Sequence, residues 1–401
     1  MNTHSEYCHS DAPRALAAQA VTPHRLNSID FLRGGAALAV MLSHDITYGD
    51  RLPSNEMWFR ALYALLDHGH LGVPLFFVIS GFCVHLRWAR QYSETKNGEL
   101  DFISFWKRRI YRLYPPYFVM LCLSMMLIVI AYQMNRAVPS VTMYPEPRAR
   151  WIAIDFFAHL TMLHGLHPIL DKGGGNSPFW TLAREEYFYL LYFPLLAWRR
   201  RWGLLSSMIV VLLSGLAFPF LMSFVLPSKS SWWSIVSSSA LVLWIQWCLG
   251  MTAVEAHYGL VKLPNWCRSW VLVPVWAGVA LLCAEYSPWL APLGWGMTFF
   301  TLLNYCVSLE CAARWPRHRV INWLTAVGVF SYSLYLVHHP VRSVVKQLLG
   351  SFARTDSPII YLLTAGLMAV LGYYAGKLFF AVVESRFLNT KRQPLAPVDS
   401  P

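Results

Sequence analysis

The segment "RGGAALAVMLSHD" at residues 33–45 is an apolar run that opens on an arginine and closes on a histidine beside an aspartate. With its flanks it predicts a membrane-spanning helix over 31–49, because about 20 apolar residues cross a bilayer. His44 follows Arg33 by 11 positions, and at about 100° per residue both side chains face nearly the same way. They are roughly 16 Å apart along the axis. The segment therefore predicts a polar stripe through much of the bilayer.

The composition is that of a polytopic membrane protein. Of 401 residues, 56% are hydrophobic and only 13% are charged, whereas soluble domains carry about 25% charged residues. The net charge of +12 does not require a nucleic acid, since basic residues flank spans on the cytoplasmic side. Eight cysteines without a CxxC pair predict neither a disulfide framework nor a metal site.

Ten segments have the length and apolar character of membrane spans. An eleventh, 151–169, carries an aspartate and three histidines. If it does not cross, 20 basic residues flank the spans inside and ten outside, whereas crossing gives 14 inside and 16 outside. The positive-inside rule therefore predicts an all-α membrane protein of about ten transmembrane helices with both termini cytoplasmic. The ten spans are 31–49, 70–88, 114–132, 180–198, 204–226, 236–256, 270–284, 290–311, 320–340 and 359–383.

This topology assigns the remaining segments to a side of the membrane. Residues 1–25 are predicted to be a disordered cytoplasmic tail, and 386–401 a second cytoplasmic tail. Residues 133–178 are predicted to form a large extracytoplasmic segment, in which 151–169 lies at the interface or re-enters the bilayer. Whether 151–169 crosses stays open. Three glycines, 173–175, are expected to form a flexible exit from the segment.

Further ionisable groups are predicted at the depth of His44. The segment "PFWTLAREEYFYLLYFP" runs inward and places Glu185 and Glu186 roughly 8 Å below the outer surface. "FSYSLYLVHHP" runs outward and places His338 and His339 in the last turn of its span. Intramembrane ionisable groups are costly and usually functional. The alternatives to a functional role are that the histidines only pack against neighbouring helices and that the glutamates form a buried ion pair.

Basic residues are predicted on the inner half. The motif "KRRIYR" at 107–112 contains Arg109 and Arg112, which are three residues apart and so share one helix face. Together with Arg33 they could hold an anionic group, because guanidinium groups bind phosphate through paired hydrogen bonds. The alternatives are a snorkelling arginine at position 33 and a positive-inside cluster at 107–112.

Five stretches follow one another along the chain: "SIDFLRGGAALAVMLSH" (28–44), "GHLGVPLFFVISGF" (69–82), "FWKRRIYRLYPPY" (105–117), "FWTLAREEYFYLL" (179–191) and "FSYSLYLVHHP" (330–340). Together they resemble the integral-membrane acyltransferase 3 family of O-acyltransferases. The similarity runs over 26–385, which is accordingly expected to be one membrane acyltransferase domain.

The resemblance implies a fold of ten transmembrane helices. It also implies transfer of an acyl group, most often acetyl from acetyl-CoA, to a hydroxyl of a carbohydrate such as a surface polysaccharide, lipid-linked glycan or oligosaccharide. The expected partners are acyl-CoA, a glycan acceptor and the lipid bilayer, with no metal, in a bacterial inner membrane. The acceptor, the acyl chain length and the oligomeric state stay open.

Family roles fall on five residues of this chain. The resemblance implies catalytic roles for His44 and, less directly, Glu185. Arg33, Arg109 and Arg112 would bind the donor phosphates. His44 would deprotonate the acceptor hydroxyl or first accept the acyl group itself, because imidazole exchanges protons near neutral pH. Glu185 would orient His44, as a carboxylate orients a catalytic histidine.

The chain departs from the usual family pattern at four positions. None removes a proposed catalytic group, and the departures could tune the choice of substrate. They are Phe31, where glycine is common, Pro74, where an acidic residue is frequent, Thr181, where serine is usual, and Arg184, where an apolar residue is usual.

A proton-coupled transporter or flippase is the alternative function. Buried His, Glu and Arg residues also form proton relays in transporters. That class predicts inverted sequence repeats between the two halves of the chain, and the five motifs differ from one another. A transporter would move its substrate without acetyl-CoA, so the two functions are separable by experiment.

Overall fold

Helices make up the regular structure of the residues that the computed structural model describes, which are 26–49, 54–134, 144–349 and 356–388. No strand occurs in these four ranges, which confirms the all-α prediction for them. The helices, numbered in chain order, are α1 (Asn27–Ile46), α2 (Met57–Asp67), α3 (Gly72–Thr95), α4 (Phe102–Gln133), α5 (Arg148–Leu160), α6 (Phe179–Ser223), α7 (Trp232–Ser237), α8 (Ala240–His257), α9 (Leu272–Tyr286), α10 (Ala291–Cys311), α11 (Arg319–Val329), α12 (Ser331–Leu349) and α13 (Pro358–Val382).

Short 3-10 helices connect or follow some of these elements. The predicted tail 1–25 and most of the predicted tail 386–401 lie outside the described residues. The 3-10 helices are His68–Leu71, His164–Leu166, Asn265–Arg268, Pro288–Leu290 and Glu384–Phe387.

Helix α1 lies at the centre of the bundle. It packs against α2, α3, α10, α11, α12 and α13. Its first backbone N–H groups, which have no partner within the helix, are satisfied from a distant element: those of Asn27 and Ser28 each donate to the Glu310 carboxylate at 2.8 Å. A negative charge at this helix end is also favourable for the helix dipole. The carboxylate of α10 therefore fixes the start of α1.

Two helix crossings are close enough to require glycine. A Cβ added at Gly34 of α1 would lie 2.0 Å from the backbone oxygen of Leu324 on α11. A Cβ added at Gly81 of α3 would lie 1.8 Å from the backbone oxygen of Trp247 on α8. Small residues let helix backbones approach in membranes. These crossings bring α3 and α11 against their neighbours in the core.

Six helical segments of the described chain are long and apolar enough to cross a membrane, or seven if the bent pair α11 and α12 is one span. The chain is therefore an integral membrane protein. The predicted first span corresponds to α1, which has 20 residues but is not among the six. It carries the charged residues Asp30, Arg33 and Asp45.

Helix α6 covers two predicted spans, 180–198 and 204–226. It has 45 residues, which would measure about 68 Å if the helix were straight. The backbone leaves the helical region at Gly203, where φ is 84° and ψ is 172°. Glycine reaches positive φ without the steric penalty of a Cβ. The break thus falls between the two predicted spans.

The predicted span 320–340 is divided into α11 and α12, whose axes differ by 79°. The break lies at Phe330. In the first turn of α12, the backbone N–H of Ser333 donates to Glu384 Oε2 at 3.1 Å, and the Ser333 hydroxyl donates to the same oxygen at 2.5 Å. The bend turns α12 toward α1 and α13, against which it packs.

The described part of the predicted extracytoplasmic segment contains one short helix. Helix α5 has 13 residues, which is about 20 Å of helix against about 30 Å of hydrocarbon core. The 3-10 helix His164–Leu166 follows. Residues 151–169 therefore do not form a single helix of spanning length.

The glycine run 173–175 is packed rather than flexible. The backbone N–H of Gly174 donates to Asp155 Oδ2 at 2.6 Å. A Cβ added at Gly173 would lie 2.3 Å from Asp155 Oδ1. The expectation of a flexible exit is wrong because these glycines let the backbone close over a buried carboxylate.

Candidate active site

The polar stripe of α1 ends in two groups of side chains. We call His44, His338 and His339 the histidine cluster. At the other end, four side chains from α1, α4 and α6 lie together, and we call them the arginine cluster. Its members are Arg33, Arg109, Glu185 and Tyr189.

Helix α12 brings His338 against His44. The His44 Nδ1 atom is 3.1 Å from His338 Nε2, and the ring centroids are 5.1 Å apart. The ring of His339 lies 5.9 Å from that of His44 in an edge-on arrangement. His338 is buried, whereas His44 is only partly buried. The imidazole of His338 is therefore enclosed, whereas that of His44 remains accessible.

The hydrogen bonds assign the tautomer of His44. His338 Nδ1 lies 3.2 Å from the carbonyl oxygen of Leu334, which can only accept, so this nitrogen carries the proton. The Nε2 atom of a neutral His338 is then an acceptor. His44 Nδ1–H donates to it, which leaves the lone pair of His44 on Nε2. This arrangement orients His44 as a base with its free nitrogen pointing away from His338.

Arg33 is held at the other end of α1 by groups from two helices. Its Nη2 atom lies 3.1 Å from Cys83 Sγ on α3. Its Nη1 atom lies 3.5 Å from Asp30 Oδ1, one turn earlier on α1. Glu185 is near enough to interact favourably with its charge. The guanidinium is therefore positioned but only weakly paired.

Glu185 belongs to the arginine cluster. Its Oε1 atom accepts hydrogen bonds from the Ser80 hydroxyl at 2.5 Å and from the Tyr189 hydroxyl at 2.6 Å. Tyr189 follows Glu185 by four residues and so lies on the same face of α6. In the described structure no hydrogen bond joins Glu185 to His44. The predicted orienting contact is therefore made by His338 instead.

Arg109 packs against aromatic rings of the same cluster. Its guanidinium carbon lies 3.6 Å from the centroid of the Phe105 ring and 4.9 Å from that of Tyr189. Cation–π contacts of this kind fix the plane of a guanidinium group. Arg112 is exposed and interacts electrostatically with Glu384. Arg109 therefore lies inside the arginine cluster, and Arg112 lies at its edge.

A small cleft, with room for about one water molecule, lies beside the arginine cluster. Both polar and apolar side chains line it. The lining residues are Leu113, Met162, Leu182, Glu185, Glu186, Tyr189 and Tyr332.

Tyr335 lies between the two clusters. Its ring centroid is 5.7 Å from that of His338, one turn further along α12. Its hydroxyl is 2.7 Å from Thr181 Oγ1, and Thr181 precedes Glu185 by one turn of α6. Tyr335 therefore links His338 of the histidine cluster to Thr181 of α6.

Arg184, one of the departures from the family pattern, ties the 144–178 segment to α6. It is 1% exposed. Its Nη2 atom is 2.7 Å from Asp171 Oδ1, and its Nη1 atom donates to the Gly165 carbonyl at 2.8 Å. It also donates to the carbonyl and hydroxyl of Ser238. This buried ion pair holds the segment against the start of α6.

A second polar group stabilises the same segment. Asp155 accepts a hydrogen bond from the Tyr144 hydroxyl at 2.7 Å and is 3.0 Å from His159 Nδ1. The rings of His159 and His164 stack with centroids 3.8 Å apart. Asp155, His159 and His164 all come from the eleventh candidate span, 151–169, so these three residues serve internal packing.

The prediction that Glu185 lies at the depth of His44 is wrong, because Glu185 lies beside Arg33. Arg33, Arg109 and Glu185 come together, whereas His44 lies about three helical turns away. Tyr189 was missed, although its i,i+4 spacing from Glu185 was a usable signal. Among the described residues, no group of three or more His, Cys, Asp or Glu side chains is arranged to hold a metal ion.

Comparisons with known proteins identify the family of the chain. A family model described as an acyltransferase domain matches residues 26–377. No solved structure matches the chain.

Three relatives illustrate the family. O-acetyltransferase OatA of Staphylococcus aureus (strain NCTC 8325 / PS 47) is 24% identical over 375 residues, which cover 88% of this chain and 56% of the relative. Peptidoglycan O-acetyltransferase OatA of Listeria monocytogenes serovar 1/2a is 24% identical over 366 residues, 80% of this chain and 50% of the relative. Nodulation protein 10 of Rhizobium leguminosarum bv. viciae is 31% identical over 196 residues, 47% of this chain and 48% of the relative. The chain thus spans about half the length of these relatives.

Proposed function

Because this chain belongs to the membrane acyltransferase family whose domain model matches residues 26–377, we propose that it transfers an acyl group, acetyl in the first instance, from a CoA thioester to a hydroxyl of a glycan. The observation that carries this proposal is the pairing along α1 of an arginine cluster with a histidine base. Guanidinium groups suit an anionic donor, and the base suits a hydroxyl acceptor.

The donor phosphates bind at Arg33, Arg109 and Arg112. Each guanidinium presents several N–H donors that match phosphate oxygens. Arg109 is already oriented by its aromatic contacts. The pantetheine arm then runs along α1 past the cleft toward His44. This path brings the thioester to the histidine cluster while the nucleotide stays at the arginine end.

The acceptor hydroxyl loses its proton to His44 Nε2. Its oxygen attacks the thioester carbon, a C–O bond forms, and the C–S bond breaks. The imidazolium then returns the proton to the CoA thiolate, so the products are the O-acyl glycan and free CoA. His338 keeps Nδ1 of His44 protonated through the 3.1 Å contact. A route through an acyl group on His44 Nε2 uses the same residues in two steps.

Glu185 keeps a functional role in this proposal, but not against His44. Its bonds to Ser80 and Tyr189 make it a positioning residue that orders the arginine cluster. Tyr189 in turn packs beneath Arg109. We expect changes at Glu185 to affect donor binding more than proton transfer.

The acceptor class follows from the relatives. Two of them are named as O-acetyltransferases, one of peptidoglycan. A cell-envelope glycan hydroxyl is therefore the proposed acceptor for this chain, and the bacterial inner membrane is its proposed location. The glycan would reach His44 from the outer side, where the 144–178 segment is proposed to lie.

We expect ten spans with both termini cytoplasmic. That count follows if α1, both parts of α6 and α9, which has 15 residues, each cross the membrane. The bent pair α11 and α12 must then cross as one span. Cysteines introduced at Arg201 and Lys229, on either side of the second part of α6, test it. A membrane-impermeant maleimide applied to intact cells is expected to label position 229 and not 201, relative to the parent protein. Labelling at 201 would contradict this topology.

Replacing Arg33 by alanine is expected to weaken donor binding. Losing a charge-assisted hydrogen bond costs about 1.5–3 kcal/mol, so the KM for acetyl-CoA should rise about 10- to 150-fold. Because Arg33 is remote from His44, kcat should be recovered at saturating acetyl-CoA. Steady-state transfer of labelled acetyl groups into glycan measures both constants. The matched control is Arg60→Ala, an exposed arginine of α2; an unchanged KM for Arg33→Ala would remove Arg33 from the donor site.

A further inference from the structure

A second group of arginines lies beside the arginine cluster. Arg33 contacts Cys83 of α3 at 3.1 Å. Arg87 follows Cys83 by four residues, one turn further along α3, and so lies on the same face. Arg87 therefore follows the Arg33 contact in a row of positions along this face of α3, and its side chain is exposed.

Arg108 continues this row from α4. It interacts electrostatically with Arg87 and with Arg109, both unfavourably, and favourably only with Asp101. The Asp101 carboxylate, which also caps α4 by accepting a hydrogen bond from the Ser104 backbone N–H at 2.8 Å, brings one negative charge to this group of three arginines. The charge of these arginines is thus poorly neutralised by the protein itself.

Two nearby arginines each have a carboxylate partner. Arg90, also on α3, lies 3.0 Å from Glu94. Arg199 of α6 lies 2.5 Å from Glu255. For Arg87 and Arg108, the described chain provides no carboxylate oxygen within 4.0 Å. Like charges held close together without a counter-ion favour binding of an anion.

The neighbouring site would already hold the diphosphate of the donor. CoA also carries a 3′-phosphate, which is a monoester with a charge of about −1.5 to −2 near neutral pH, as phosphate monoesters have a second pKa near 6. A dianionic phosphate monoester can form charge-assisted hydrogen bonds with two guanidinium groups at once. This chemistry matches the charge and position of the second arginine group.

We propose that Arg87 and Arg108 form a phosphate-monoester subsite that recognises the 3′-phosphate of the CoA donor. The inference rests on the proposed function, because it assigns part of the same donor. It adds a specificity element that is separate from Arg33, Arg109 and Arg112. The competing source of phosphate is a lipid headgroup, which would contact the same arginines at the membrane surface.

Equilibrium binding of CoA and of 3′-dephospho-CoA to the purified protein in a neutral detergent tests the subsite. The wild type is expected to bind dephospho-CoA about 10- to 100-fold more weakly, as one or two charge-assisted bonds are lost. The double variant Arg87→Gln/Arg108→Gln is expected to bind both ligands equally. The matched control Arg200→Gln/Arg201→Gln, which changes two exposed arginines of α6, should keep the wild-type preference. Retained discrimination in the Arg87/Arg108 variant would overturn the proposal.

The lipid alternative has its own outcome. Binding is repeated in bilayer discs of phosphatidylcholine alone and of phosphatidylcholine with phosphatidylglycerol. If the double variant changes binding only with anionic lipid, and equally for both ligands, the arginines contact headgroups and the proposal is wrong. Acetyl transfer is measured separately. If the protein discriminates between CoA and 3′-dephospho-CoA but transfers no acetyl group, the proposed function is wrong and the subsite is still supported.

Discussion

Replacing His44 by alanine is expected to lower kcat for acyl transfer by about 10²- to 10⁴-fold, the usual contribution of a general base. The KM for acetyl-CoA should change little, because the arginine cluster lies roughly 16 Å away along α1. The reason is geometric: the contact of Nδ1 with His338 leaves Nε2 as the only available base nitrogen of His44. Initial rates of label transfer at saturating acetyl-CoA, with expression levels matched, measure the effect.

The control for this prediction is His68→Ala. His68 is exposed and its Nδ1 atom bonds to the carbonyl of Ala64 in the preceding helix, α2. This variant should transfer acetyl groups at the wild-type rate. If His44→Ala also retains half or more of the wild-type rate, His44 is a packed histidine and is not the base.

Replacing Arg184 by alanine is expected to destabilise the fold strongly. Breaking a buried ion pair typically costs about 3–5 kcal/mol, because the remaining charge is left without a partner. Here the stranded group is Asp171, and the carbonyl of Gly165 also loses its donor. We expect a lower thermal midpoint in detergent and faster proteolysis within 144–178.

Two further variants make this test specific. Arg90→Ala removes an exposed pair with Glu94, which should cost only about 0.2–1 kcal/mol. Removing both charges, in Arg184→Leu/Asp171→Leu, should recover part of the lost stability, since no buried charge then lacks a partner. A midpoint for Arg184→Ala equal to that of Arg90→Ala would show that the buried pair does not hold the segment.

The sequence was sufficient for features that depend on helical periodicity. The stripe from Arg33 to His44 follows from their spacing on one helix, and α1 has that form in the structure. The same spacing rule puts Arg109 and Arg112 on one face of α4, and their shared role in donor binding stays a prediction. Periodicity cannot decide which helix faces which, however. The sequence therefore favours Glu185 as the partner of His44, whereas α12 brings His338 there and Ser80 of α3 reaches Glu185.

Breaks within helices are a second feature that the sequence does not predict. Hydrophobicity predicts one span over 320–340, but the chain turns by 79° within it. The start of the second helix is stabilised by the distant Glu384 carboxylate, which accepts hydrogen bonds from the Ser333 N–H and hydroxyl. The packing of the 173–175 glycines depends likewise on Asp155, which lies 19 residues away from Gly174. Such contacts between segments leave no local pattern in the sequence.

Reconstitution of the purified protein in liposomes tests the central claim most directly. Acetyl-CoA labelled in the acetyl group is supplied with oligosaccharide fragments of peptidoglycan as acceptor, and alkali-labile label on the glycan is counted beside the free thiol of CoA. Acyl transfer predicts one ester for each thiol released, with both lost in His44→Ala. Thiol release without glycan ester, or glycan moved across the membrane in the absence of acetyl-CoA, would contradict the account.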